Sequence, residues 1–215
     1  MSKVTLTIDN GPHTVETPKV LAVLTERQVS AHFFVVGRQA AKPGNLAILE
    51  EILSRGHVVG NHTWSHRIPF GENKDPNAVA EEVVRAQELL EPYTGKVKMF
   101  RPFGGGGRLD ACLFSPALVT HLCKQKYNCA LWNNVPRDWE DLDGWVDTAM
   151  DNISSDAWSV VVVHDYLVGN AQRIGAFIDA AREAGHEFVP DISPQCLPIV
   201  DGVVMQDLSA WTTAN

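Results

Sequence analysis

His62 and His66 stand four residues apart in the stretch VVGNHTWSH, just beyond a short apolar run. Two imidazoles at that spacing can share one divalent ion, and a catalytic ion of this kind usually takes three protein side chains and keeps one position open for water. A third ligand must therefore come from elsewhere in the chain. Other chemically capable groups follow apolar runs in the same way. VTLTI leads into Asp9, Asn10, Gly11 and Pro12, and KMF leads into Arg101 and Pro102. CALWNNVPRDW ends at Asp138 and Trp139, and SVVVV ends at His164. Each has a plain structural explanation when taken singly: Asp-Asn-Gly-Pro makes a turn, and a histidine ending an apolar strand is commonly a core group. Jointly, those explanations would need five coincidences at one rim. A carboxylate, an arginine and several histidines placed together are the parts of an acid–base hydrolase with metal help.

The elements that must position these groups are short and apolar. VTLTI, AHFFVVG, HVVGN, KMFRPF, CALWN, SVVVVH and HEFV read as buried strands. Helical patterns lie between them. TPKVLAVLTERQV has Pro18 near its start, GNLAILEEILSRG stops at Gly56, DPNAVAEEVVRAQELLEPYTG carries Val79, Val83, Ala86 and Leu90 on one face, and AQRIGAFIDAAREAG closes at Gly185. Strand-then-helix units repeated about seven times predict an α/β fold with a parallel sheet covered on both faces. A closed or nearly closed (β/α) barrel is the first expectation and an open doubly wound sheet the second; in both, functional groups belong at the C-terminal ends of the strands. Residues 1–191 are expected to form one domain. Residues 192–215, with little helical periodicity, are expected to pack on it as an extension that covers one barrel end or supports a homodimer.

The 215 residues, 45% of them hydrophobic, suffice for one sizeable core, and the formal charge of −8 argues against a nucleic-acid partner. No run of 18 apolar residues is present to span a membrane. The opening MSKVTLTIDNGP lacks the basic start and apolar stretch of a secretory signal, so a cytoplasmic location is expected. Cys112, Cys123, Cys129 and Cys196 show no CxxC spacing and read as structural thiols in a reducing compartment.

LTIDNGPH resembles the first motif of the NodB-type polysaccharide deacetylases (carbohydrate esterase family 4), usually written T-F-D-D-G-P. HTWSH is similar to their H-[ST]-x-x-[HS] motif, and FRPFGG, WNNVPRDW and VVVHD to the third, fourth and fifth motifs, all in family order across residues 4 to 191. The resemblance implies a distorted (β/α) barrel that removes acetyl groups from N-acetylated saccharides with a divalent metal, zinc being the expected ion. Residue by residue, Asp9 matches the catalytic base and His164 the general acid. His62 and His66 match the metal-binding histidines, and Arg101 and Asp138 the pair that fixes and tunes the base. Trp139 and Val162 match the walls of the acetyl pocket, where leucine is usual at the Val162 position. Phe103, in the third motif, and His13, just after the first, are further candidates for substrate contact. Base and acid would then act from opposite sides of the scissile amide.

Two departures matter. The family's third metal ligand is the second Asp of the first motif, and here that position is Asn10. A neutral amide oxygen forfeits most of the attraction a carboxylate offers a hard dication, a loss on the order of a few kcal/mol. The D-N-G form is similar to that of spore-type peptidoglycan deacetylases. Three outcomes follow: weak metal binding by His62, His66 and Asn10; metal-free acid–base hydrolysis, including that of a small non-sugar amide; or carbohydrate binding without turnover. The third motif is also short, with one residue fewer between Arg101 and the glycines, which leaves the oxyanion N–H unassigned. Glycines 104–107 lack the Gly-Lys-[ST] continuation of a phosphate cradle.

Overall fold

A computed structural model describes residues 2–153 and 155–213. In chain order it contains β1 (Lys3–Asp9), α1 (Glu16–Glu26), β2 (Ala31–Val35), α2 (Gly37–Ala40), α3 (Asn45–Ser54) and β3 (Val58–Asn61). A π-helical turn (Ala80–Val84) then runs into α4 (Arg85–Leu90), followed by β4 (Lys98–Phe100), α5 (Pro116–Lys124), β5 (Tyr127–Cys129), α6 (Trp145–Ile153) and β6 (Trp158–His164). The chain continues through α7 (Asn170–Glu183), β7 (Glu187–Phe188), β8 (Ile199–Val200) and β9 (Val203–Val204). The strands form one sheet in the order β6-β1-β2-β3-β4-β5-β8-β9, with β7 pairing the start of β1. Pairing is parallel from β6 to β5 and antiparallel only at β8 and β9.

This is the distorted (β/α) barrel expected from the sequence. Its closure is incomplete. Among the described residues β5 and β6 share no ladder; the backbone bridge is Asn134, which donates its N–H to Val160 O (3.2 Å) and accepts from Val162 N–H (2.9 Å), and the Asn133 side chain beside it accepts from Val160 N–H and donates to Trp158 O.

Alternation along the strands explains both the core and the cavity. Val4, Leu6 and Ile8 of β1 and Val161 and Val163 of β6 face outward into an apolar layer with α1, α3, α6 and α7. The intervening Thr5, Thr7 and Asp9 of β1, and their register partners Val160, Val162 and His164 of β6, are buried on the other face, as a period of two requires. Phe34, Met99, Ala130 and Val160 form a separate inner cluster with Ile192 and Cys196. Segment 190–197 lies against the barrel end opposite the strand tips: His32 Nε2 donates to Pro190 O at 2.7 Å, and Leu131 N–H to Cys196 O. Ile199 then pairs with Cys129. All four cysteines are free, and no described helix is long and apolar enough to cross a membrane.

Two local expectations need correction. The fifth strand is Tyr127–Cys129 rather than CALWN, because residues after Cys129 turn inward to meet Arg101 and segment 190–197. The helix expected after Asp75 is not α throughout. It contains a π turn at Ala80–Val84, and the side-chain amide of Asn61 donates to Val83 O at 3.0 Å. A π turn of this kind often marks a functional position.

His57, just before β3, supplies a stability test. Its ring is 6% exposed, Nδ1 accepts the Ala31 N–H at 3.2 Å, and burial with nearby Arg55 lowers its pKa to about 4. The unfolded chain binds this proton first as pH falls, so the stabilisation is full above about pH 6.5 and is lost on acidification toward pH 4, a change of about 3 kcal/mol. His57→Asn keeps a neutral acceptor and should flatten that part of the stability–pH curve measured by urea unfolding. Parallel wild-type and variant curves between pH 7 and 4 would remove His57 as a cause.

Candidate active site

Asp9 and His164 are Cα register partners on adjacent parallel strands, β1 and β6, which run about 4.8 Å apart. Both are last residues of their strands and both are buried. The sheet itself sets their separation.

Each has a dedicated partner. Arg101, at 0% exposure, follows β4 and donates from Nη1 to Asp9 Oδ1 (2.8 Å) and Thr7 Oγ1 (2.7 Å). Its Nε and Nη2 donate to Ala130 O and Leu131 O, both at 3.2 Å, and the guanidinium lies 4.0 Å over the Phe34 ring. Every edge of the fork is used, so the buried cation is held rigidly beneath Asp9. Asp138 is not the second partner of Asp9 that the family resemblance implies. Its Oδ1 accepts from His164 Nδ1 at 2.7 Å, and its Oδ2 accepts from His164 N–H and Asn170 Nδ2, both at 2.7 Å. The reason is positional: the loop after β5 runs over the end of β6, whereas Asp9 is already met by Arg101. Burial disfavours the His164 imidazolium, but the Asp138 hydrogen bond and charge outweigh it and the pKa is raised.

His62 leaves the end of β3 with Nδ1 at 2.9 Å from Arg101 O. A carbonyl can only accept, so Nδ1 carries the proton and Nε2 keeps its lone pair. That Nε2 faces Asp9 Oδ2 at 3.4 Å. Burial lowers the His62 pKa to about 3; burial and His62 lower that of His66 to about 2. Both rings are thus neutral near pH 7, the form that ligates metal. Their centroids lie 4.6 Å apart, and Phe103 packs on His66 at 4.1 Å.

The loop joining the two histidines is bent and clamped. Thr63 and His66 adopt φ of 66° and 53°, in the left-handed region. Asn61 Oδ1 accepts from Thr63 N–H, Thr63 Oγ1 accepts from His66 N–H, and Glu82 of the π turn takes both the N–H and the hydroxyl of Ser65. Of the seven non-glycine residues at positive φ among the described residues, four, Asn10, Thr63, His66 and Arg137, sit in loops around this site. Backbone strain persists where surrounding bonds over-determine it.

A cavity of about 210 Å³ joins these groups. Asp9, Asn10, His62, His66, Phe103, Trp139, Val162 and His164 line it, while Arg101 and Asp138 stand behind. His13 does not line it. Its Nδ1 instead accepts the N–H groups of Val15 and Glu16 at the start of α1. Glycines 104–107, whose lack of side chains permits close approach of backbone to a ligand, line the cavity as well, as do Trp132, Val135 and Tyr166, which the sequence does not single out. A Cβ on Gly104 would meet the Trp132 ring at 2.6 Å and one on Gly107 would meet Val135 at 2.8 Å, so the loop closes on this wall only as glycine.

Comparison with known proteins decides the family. The sequence profile described as "Polysaccharide deacetylase" matches residues 1–113. The chain belongs to the polysaccharide deacetylase family. A chitooligosaccharide deacetylase of Sinorhizobium fredii is 30% identical over 163 residues, covering 74% of this chain and 70% of that one. A peptidoglycan-N-acetylglucosamine deacetylase of Bacillus cereus is 25% identical over 193 residues, with 86% and 84% covered. The crystal structure of the Bc1960 peptidoglycan N-acetylglucosamine deacetylase superposes with a TM-score of 0.72 at 26% identity, over 93% of this chain and 89% of that one.

The donor set bears on the metal such a family implies. Among the described residues no group of three or more His, Cys, Asp or Glu side chains is arranged to hold an ion. The cavity does contain two neutral imidazoles, and Asn10 Oδ1 is a buried acceptor without a hydrogen-bond partner. An orphaned buried acceptor and two neutral imidazoles lining one cavity are the donor types that a cation held by His62, His66 and Asn10 would take.

Proposed function

We propose that this family member hydrolyses the N-acetyl amide of an amino-sugar oligosaccharide by acid–base catalysis, with a divalent ion, zinc first among candidates, held by His62, His66 and Asn10. The observation carrying this reading is the cross-strand pair Asp9 and His164, each with its own buried partner at one cavity. When bound, such an ion supplies Lewis acidity, polarising the amide carbonyl and making water a better acid.

The remaining work belongs to the chain. Arg101 occupies Asp9 Oδ1, which leaves Oδ2 to take a proton from the attacking water. His164 gives Nδ1–H to Asp138, so Nε2 is the atom that delivers a proton to the departing nitrogen as the carbon–nitrogen bond breaks. Acetate and a free amine result. Trp139, whose ring stands at 87° to that of His164, and Val162 wall the space for the acetyl methyl. The cavity is smaller than the roughly 300–1,000 Å³ of drug-sized sites, which suits one sugar unit of a longer ligand.

The deciding assay follows acetate release from N-acetylglucosamine oligomers, using chelated and zinc- or cobalt-reconstituted protein. Metal-stimulated release is expected. No acetate from any N-acetylated saccharide under either condition would sink the reading, and undiminished activity after chelation would remove the ion while leaving the acid–base pair.

The same assay tests His164. Its raised pKa favours the protonated acid, and the rate should fall as pH rises through that value. Asp138→Asn removes the supporting anion, so the alkaline limb should move to lower pH by about one unit or more. An unmoved limb would free His164 from Asp138.

A further inference from the structure

Asp165 directly follows His164 at the end of β6, yet it takes no part in the hydrolysis proposed above. It is 1% exposed, and its two oxygens stand in unequal surroundings. Oδ2 accepts from Thr17 Oγ1 at 2.6 Å, whereas Oδ1 is buried without a partner, a costly state for a carboxylate. The reason for keeping such a group lies in what it touches. A Cβ on Gly11 would meet Asp165 Cγ at 2.6 Å, with both carboxyl oxygens nearer still. The carboxyl therefore fills the space that a side chain at position 11 would need. The hydroxyl of Thr17, itself wholly buried, accepts the His13 N–H at 2.7 Å, and Thr17 N–H returns to His13 O at 3.1 Å. One side chain beyond the tip of β6 thus holds both Gly11 and the turn into α1.

On its other flank the same segment is tied to the end of β2. Asn10 N–H donates to Phe34 O, and Gly11 O accepts from Val36 N–H, each at 3.1 Å. Asn10, gripped between the two, adopts a left-handed φ of 77°. That conformation is uncommon away from glycine and persists where the surroundings impose it. Since Asn10 Oδ1 has no hydrogen-bond partner, the backbone decides where that oxygen points.

We propose that Asp165 is a positioning residue: by packing its carboxyl against Gly11 and bonding Thr17 it braces the segment after β1, and so aims the Asn10 oxygen into the cavity lined by His62 and His66. It acts through its shape and one accepted hydrogen bond, not through its charge. The proposal rests on the donor role given to Asn10 above.

The test compares Asp165→Ala, Asp165→Asn and Thr17→Val with the wild type by two readouts. One is calorimetric titration of zinc into metal-free protein; the other, without metal, is the ¹⁵N–¹H side-chain amide signals of Asn10. Groups that orient a metal ligand are typically worth about 10–100-fold in affinity, so Asp165→Ala should weaken zinc binding at least about 10-fold and move the Asn10 signals. Thr17→Val, nearly isosteric but without the hydroxyl, should move those signals in the same direction. Asp165→Asn keeps the shape against Gly11 and an oxygen for Thr17, and should stay close to wild type in both readouts. Unmoved Asn10 signals in Asp165→Ala would overturn the brace, and so would an Asp165→Asn protein as impaired as Asp165→Ala, which would point to charge. Wild-type Asn10 signals in Thr17→Val would overturn it equally, whether or not Asp165→Ala folds. A wild type that takes up no zinc would overturn the donor role of Asn10 alone, because the amide signals still report on the brace and acetate release on the acid–base pair.

Discussion

Asp9→Asn is expected to lower kcat/KM for acetate release by about 10²–10⁴-fold, the usual contribution of a positioned general base. The substitution is nearly isosteric, and its Oδ1 can still accept from Arg101 Nη1, so the geometry beneath the site should survive. What disappears is the basic oxygen beside His62 Nε2. The assay on N-acetylglucosamine oligomers should show the loss in the rate, with a melting temperature close enough to wild type to exclude unfolding. A folded Asp9→Asn protein with an undiminished rate would remove Asp9 from the base role and dissolve the mechanism proposed for the cross-strand pair.

The largest stability effect belongs to Arg101→Leu. The guanidinium is wholly buried and bonds Asp9, Thr7, Ala130 O and Leu131 O. Its removal strands the Asp9 carboxylate, and breaking a buried ion pair from one side costs about 3–5 kcal/mol. For a chain of 215 residues this corresponds to a melting temperature lower by about 6–20 °C. Replacing both partners with apolar groups is far cheaper than removing one, so Asp9→Ala added to Arg101→Leu should recover part of the loss in urea unfolding. A double variant less stable than Arg101→Leu alone would mean that Arg101 acts through its carbonyl bonds and the Phe34 face, and not through Asp9.

The sequence made the strand tips legible because the strands of a covered parallel sheet are continuous apolar runs, and the first polar residue after each stands out. Asp9, His62, Arg101 and His164 each stand at or directly after the end of a strand. Partnership was harder to read, since it depends on register and loop path. Nothing in WNNVPRDW says that Asp138 turns to His164 rather than Asp9, or that Asn170 will hold the other oxygen. Thr7 could have been found, as it lies two residues before Asp9 on the same face of β1. Tyr166 and the Glu82 clamp had no signal: an aromatic after a strand and a glutamate on a helix are common, and only the π turn and the bend at Thr63 bring Glu82 to Ser65. His13 is close to Asp9 in sequence, but its ring caps the start of α1 and does not line the cavity.

The single-residue bridge at Asn134 has a consequence for how such a molecule can change. The wall bearing Trp132, Val135 and Trp139 is joined to the sixth strand by one backbone bridge and the side chains of Asn133 and Asp138, not by a continuous ladder. Lengthening or reshaping that wall leaves the rungs joining the first and sixth strands untouched. The contacts that wall offers can therefore change while the separation of Asp9 and His164 stays locked in the sheet.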